Sequence, residues 1–200
     1  MKLRIAMLFA ALLLFPNVTE ATLHGPNGGK HLGSHGQPKA DVFAEDLSCR
    51  AVDEAVRKTW DSPQLAVNTY NAKPDGSLKP HFESRAIGAE IYEKYAFSTK
   101  WRRFRRGVPG SMGQRGPLWN ACKLVKPDHA GDQAELHYTA TWRSFPYEAA
   151  ADIWISANDG RLQKIQRRFP DNRWMFPFAT ALEKFDYDPA HIEVPDAGSR

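Results

Sequence analysis

Apolar residues first fall into a helical rhythm in AEDLSCRAVDEAVRKTW, Ala44 to Trp60, where Cys49, Val52, Val56 and Trp60 recur at steps of three and four. That spacing places all four on one side and predicts an amphipathic helix. Asp46 is positioned to cap its start, and Arg57 and Lys58 suit the negative end of the helix dipole. Asp61-Ser62-Pro63 then stops it.

Beyond Pro63 the period shortens to two. QLAVNTYNA reads as a strand closed by the turn Pro74-Asp75-Gly76. HFESRAIGA and EIYEKYAF follow with Gly88 at the corner, then KWRRF, and after the Gly- and Pro-rich stretch Gly107–Pro117, read as a long loop, ACKLVKP. In AELHYTATW the alternation is cleanest: Leu136, Tyr138, Ala140 and Trp142 point one way, Glu135, His137, Thr139 and Thr141 the other. ADIWISANDGRLQKIQRRF is a hairpin about Asn158-Asp159-Gly160, and ALEKFDYD is the last strand. One helix followed by eight or nine strands in meander order predicts an α+β fold, an amino-terminal helix packed on a curled, half-barrel-like antiparallel sheet. Such a sheet leaves a concave apolar groove. Phe82, Ile87, Tyr92, Leu136, Tyr138, Trp142 and Ile153 are the candidates to line it, with core packing the alternative for each.

The residues before the helix change the setting. Lys2 and Arg4 precede the unbroken apolar run Ile5–Phe15, Pro16 breaks it, and Thr19 and Ala21 sit where a small-residue cut is expected. The run is too short to cross a bilayer, which takes about 20 residues. Residues 1–21 are therefore expected to be a signal peptide, 22–43 a flexible Gly- and His-rich leader, 44–188 a single domain and 189–200 a patternless tail. A soluble periplasmic or secreted protein is expected, with no transmembrane segment. Losing Lys2, Arg4 and Glu20 with the leader lowers the formal charge from +4 to +3, too little to argue for nucleic acid. In an oxidising compartment Cys49 and Cys122 can form a disulfide. The alternative is that both are small buried hydrophobes.

Candidate chemistry is sparse. TLHGPNGGKHLGSHG, Thr22 to Gly36, follows the expected cut. A new terminus Thr22-Leu23-His24 would offer an amine, two amides and an imidazole in one plane, the arrangement that Cu(II) and Ni(II) prefer. It resembles the amino-terminal copper/nickel-binding motif; the alternative is a polar leader whose histidines touch nothing. GGKH fails as a phosphate loop, because His24 and His31 stand where Gly and Ser or Thr are needed. KWRRFRR places Arg102, Arg103, Arg105 and Arg106 around Phe104, an anion patch suited to lipid head groups or an acidic envelope surface, or else a charged edge strand that blocks aggregation. Asp186, Asp188 and His191 in FDYDPAHIE could hold a cation or do acid–base work, but Asp-Pro is also an ordinary turn. His81 and His137 sit singly in strands and read as structural. Serine-hydrolase, zinc-protease and paired-cysteine motifs are absent.

Together, RAIGAEIYEKYAFSTKWRRF, AELHYTATW and IWISANDGRLQKIQRRF resemble half-barrel proteins of the periplasmic lipoprotein-carrier type. In that family a helix precedes a meander, and a late hairpin carries Trp-Ile/Val … Gly-Arg/Leu-x-x-Lys. The resemblance covers about Asp46 to Tyr187, and this chain departs from it in Gly107–Pro117 and in its two cysteines. It implies an apolar cavity between sheet and helix for an acyl chain or another hydrophobic ligand. A non-catalytic binder of that kind is the leading reading. The alternatives are a copper- or nickel-handling protein acting through Thr22–His24, and an enzyme on a cystatin-like α+β cone using Asp186, His137 and Tyr92.

Overall fold

Asp46 starts the helix in two ways at once in the computed structural model, which describes residues 45–107, 112–113, 116–130, 133–170 and 179–196. One carboxylate oxygen accepts Ser48 N–H at 2.9 Å, the other Ala121 N–H at 2.7 Å from a strand far along the chain. A 3-10 turn, Leu47–Cys49, leads into α1, Arg50–Trp60. Of the residues the spacing picks out, Cys49, Val52 and Trp60 are buried and Val56 is partly buried, packed against both core clusters, and Cys49 is disulfide-bonded to Cys122. The helix is thus tied to the sheet covalently at its first turn.

The strands are β1 (Gln64–Ala72), β2 (Leu78–Ile87), β3 (Glu90–Tyr95), β4 (Arg102–Arg105), β5 (Met112–Gly113), β6 (Gly116–Pro117), β7 (Trp119–Ala130), β8 (Gln133–Ser144), β9 (Tyr147–Ser156), β10 (Leu162–Arg168) and β11 (Thr180–Asp186). Nine form one open antiparallel sheet in the order β4-β3-β2-β1-β11-β10-β9-β8-β7, with the helix on one face: an α+β half-barrel. The order is not a simple meander. Two meanders, β1–β4 and β7–β11, are joined where β1 pairs with β11, Val67 opposite Phe185. Within Gly107–Pro117, read as loop, β5 and β6 make a small hairpin. After Pro189, where no pattern was read, a 3-10 turn Pro189–His191 precedes the buried Ile192, and Arg85 donates to the Glu193 carbonyl at 2.8 Å.

Directly opposed residues in an antiparallel pair share a face. On the inner, helix-bearing face the register therefore places Tyr138, Ile153, Ile165, Glu183, Thr69, Phe82 and Tyr95 in one row across seven strands. Under the helix the core comprises Val52, Ala55, Ile153, Ile155, Leu162 and their neighbours; a second cluster gathers Leu65, Val67, Ala86 and Ile91 about Trp60. The helix end is locked by the buried Thr59, whose hydroxyl oxygen accepts Leu162 N–H at 2.9 Å. Tyr187 donates to the Leu162 carbonyl, so the Thr59 hydroxyl must give its own hydrogen to the Tyr187 oxygen, 3.1 Å away. Burial pushes the Tyr187 phenol well above its ordinary range, which keeps it a donor.

Candidate functional site

An eleven-residue helix is about 16 Å long, whereas nine strands spaced about 4.8 Å apart make a sheet about 38 Å wide. Here α1 packs on β7, β9 and β10, and its last residue, Trp60, reaches the Leu65–Ala86–Ile91 end of β1 to β3. Thr69 lies four residues along β1 from Leu65, and Arg167 five residues along β10 from Leu162, distances of about 13 to 16 Å at strand rise. The inner face continues well past the helix.

On that farther stretch sit Trp142, Phe169, Phe82 and Tyr95, and among them a buried ion pair. Arg167 Nη1 donates to Glu183 Oε1 at 2.8 Å, and the residues are 3% and 5% exposed. The guanidinium lies 4.6 Å from the Trp142 ring centroid and 5.8 Å from that of Trp119. Ala151 and Ala181, opposite Arg167 on its two neighbouring strands, are nearly fully buried and give this long side chain room. The pairing is incomplete: among the described residues Arg167 Nε meets no acceptor and the hydroxyl of the buried Thr69 no partner, although Thr69 stands directly opposite Glu183. An unmet buried polar group costs about 1–3 kcal/mol. A groove of about 340 Å³ bordered by Thr69 and Phe82 opens instead among the outer-face residues Asn68, Glu83 and Lys94, with Tyr70, Pro80 and Ala96. That volume lies at the small end of the range for ligand sites.

Of the residues read as lining, Phe82, Leu136, Tyr138, Trp142 and Ile153 are on the inner face. Ile153 is directly in the core beneath the helix, and Trp142 lies at the end near Arg167. Ile87 and Tyr92 fall on the outer face, where Tyr92 is opposed by Arg85 and Arg103. That face is polar and aromatic: Trp101 carries Arg85 at 4.9 Å and Lys94 at 4.5 Å over its ring, and Trp154 is stacked on His137 with Lys164 above it.

The arginine run divides. Arg102, Arg103 and Arg105 are exposed on the edge strand β4. Arg106 turns back to the helix end, donating to the carbonyls of Ser62, Gly88 and Trp60 and lying over the Trp60 ring. It is a cap for the carbonyls the helix leaves open, and burial lowers its affinity for its proton. Thr22, Leu23 and His24 lie outside the described residues.

The remaining polar candidates do not converge. His137 Nε2–H donates to Asp152 Oδ1 at 2.8 Å, with Arg168 on the other carboxylate oxygen. Tyr92, Asp186 and His137 are on β3, β11 and β8, each three strands from the next, about 14 Å. His191 is close to Asp186 at 2.9 Å, but Asp186 also accepts Asp188 N–H and Asp188 accepts Ala190 N–H, so the group is an exposed hydrogen-bonded turn. Among the described residues no group of three or more His, Cys, Asp or Glu side chains is placed to hold a metal ion. Nor is any described helix long and apolar enough to cross a membrane.

Sequence reasoning passed over Arg167 and Glu183, and it put Arg106 in the anion patch rather than at the helix end. The first two had a signal: Arg167 interrupts the alternation Ile165-x-Arg167-x-Phe169, and Glu183 interrupts Ala181-x-Glu183-x-Phe185 on the next strand. Opposite charges on the apolar parity of paired strands mark a buried pair. Arg106 had none, since its partners are backbone carbonyls up to 46 residues away.

No protein-family model and no curated protein matches the chain. Among solved structures it is similar to a LolA superfamily protein from Nitrosomonas europaea, at 13% identity and a TM-score of 0.28, over 70% of this chain and 90% of that one.

Proposed function

We propose that this chain is an exported, non-catalytic carrier that holds a hydrophobic or lipid-like molecule on the inner face of its half-barrel. One observation carries the reading: nine strands make one open half-barrel sheet whose inner face carries the row Tyr138, Ile153, Ile165, Phe82 and Tyr95, with the eleven-residue α1 packed on its β7, β9 and β10 part. The Cys49–Cys122 bridge supports export, because such bonds persist in oxidising compartments. The exposed Arg102, Arg103 and Arg105 supply a surface that suits acidic envelope components.

Native mass spectrometry of the mature protein, purified from its own host without added metal, tests the reading. A lipid-sized adduct released on denaturation supports it. A bare chain that takes up no long-chain amphiphile when supplied with one overturns it. A copper or nickel adduct lost in His24→Ala assigns binding to the amino terminus instead.

A further inference from the structure

We propose that the groove on the outer face of β1, β2 and β3 is a second, separate site that takes a neutral saccharide. The inference goes beyond the carrier reading, which concerns the inner face, and stands without it. A bulge shapes the groove: Thr69 opposes Phe82 but Tyr70 opposes Pro80, so His81 is an extra residue in β2. Such an irregularity bends the strand and breaks the regular surface of the sheet. Ala96 N–H donates to the His81 carbonyl at 2.9 Å, which holds the chain after β3 beside the bulge, where Ala96 and Ser98 line the groove.

Across the strands Asn68, Glu83 and Lys94 form one row, each directly opposite the next. Glu83 is held from two sides, by Arg85 at 2.7 Å and by Lys94 at 3.4 Å, and Lys94 also lies 4.5 Å from the Trp101 ring centroid. The charged groups are thus fixed before any ligand arrives. A carboxylate keeps acceptor positions beyond those bonds, and an ammonium keeps donors. Among the described residues the Asn68 side-chain amide and the Tyr70 hydroxyl have no hydrogen-bond partner, so both are open to a ligand. Tyr70 and the opposing Pro80 add ring surface. A sugar matches this mixture, because each hydroxyl both donates and accepts while the C–H face of its ring packs on flat apolar groups. Charge disfavours the alternatives: an anion reaching Lys94 also meets Glu83, and a cation reaching Glu83 also meets Arg85 and Lys94.

NMR chemical shifts of the isotope-labelled mature protein test the site. Cellobiose, lactose and N,N′-diacetylchitobiose are the neutral probes, with digalacturonate and the diamine chitobiose as matched anion and cation. At least one neutral disaccharide is expected to bind with a dissociation constant of about 1 mM, its shifts confined to the amides around Asn68, Tyr70, Glu83, Lys94, Ala96 and Ser98. Tyr70→Phe and Asn68→Ala are each expected to weaken it about threefold or more, the worth of one net hydrogen bond. Lys164→Ala, on the same face but two strands from β1, should leave it unchanged. Shifts scattered outside the groove, no shift from any neutral probe up to its solubility, or full affinity in both groove variants overturns the site. Tighter binding of digalacturonate or chitobiose overturns the ligand class in favour of an ion site. The carrier reading survives each of these results, since it rests on the other face.

Discussion

Replacing both cysteines, Cys49→Ala/Cys122→Ala, should destabilise the mature chain chiefly by freeing its unfolded state. The bridge joins residues 73 apart in sequence. Closing a loop of that length lowers the entropy of the unfolded chain by an amount worth about 4 kcal/mol. In the folded protein the two ends are held by other contacts as well: Asp46 accepts Ala121 N–H, and Ser48 Oγ accepts Cys122 N–H at 3.1 Å. The native sheet and helix should therefore survive, with the same circular dichroism. Urea unfolding gives the number. At a slope of about 2–3 kcal/mol/M, a loss of that size moves the midpoint down by about 1.5–2 M. The slope should rise slightly, because an uncrosslinked unfolded chain exposes more surface. A midpoint shift below about 0.5 M at unchanged slope would refute the reasoning. So would two free thiols in unreduced, unfolded native protein, since both cysteines would then lie outside any bridge.

Further outcomes follow from the buried and capping groups. Arg167→Leu alone strands Glu183 in the core and should cost about 3–5 kcal/mol, whereas Arg167→Leu/Glu183→Leu should lie within about 1 kcal/mol of native; urea unfolding of both variants checks the asymmetry. Arg106→Ala leaves the carbonyls of Trp60, Ser62 and Gly88 without this donor and should cost about 1–3 kcal/mol, with hydrogen exchange accelerated first at the carboxyl end of α1. The hydrogen bond His191 donates to Asp186, aided by the charges of Asp186 and Asp188, raises the His191 pKa above the ordinary value. Its stabilising effect is thus fully present below the unfolded histidine pKa and is lost as pH rises through the higher folded one. An NMR titration should find His191 titrating late in the native chain, and the lag reduced in Asp186→Asn, where Asp188 alone remains.

Much of the architecture is legible because it is local. The three- and four-residue spacing of Cys49, Val52, Val56 and Trp60 has one periodic solution, and Asn158-Asp159-Gly160 between two β-rich runs makes one kind of turn. The β1–β11 pairing is not local: nothing in QLAVNTYNA names ALEKFDYD as its neighbour. Faces were legible only where alternation was clean. AELHYTATW shows its parity, while Ile91-Tyr92 offers two buried residues in succession, and only the opposition of Tyr92 to Arg85 decides between them. The site was half visible. Phe82 and Trp142 announce themselves as aromatics on strands, but the buried Arg167–Glu183 pair is made by cross-strand register, and Arg106 acts on carbonyls that carry no sequence mark.

The seam between β1 and β11 also sets the order in which the molecule can be completed. Ala66 pairs with Asp186, so the first strand of the sheet waits for the last. Ribosomes and export channels deliver a chain from its amino end. During delivery β2 can cover one edge of β1, while the other edge, with its row of free amides and carbonyls, stays open until more than a hundred further residues have emerged. Long-range pairing of this kind is slow to form, and an open edge of that sort invites pairing with other chains. Two half-sheets that each form early and join late make the join the step on which assembly competes with aggregation. Slow closure at this seam, more than the strength of the finished core, is what a cell producing this protein has to manage.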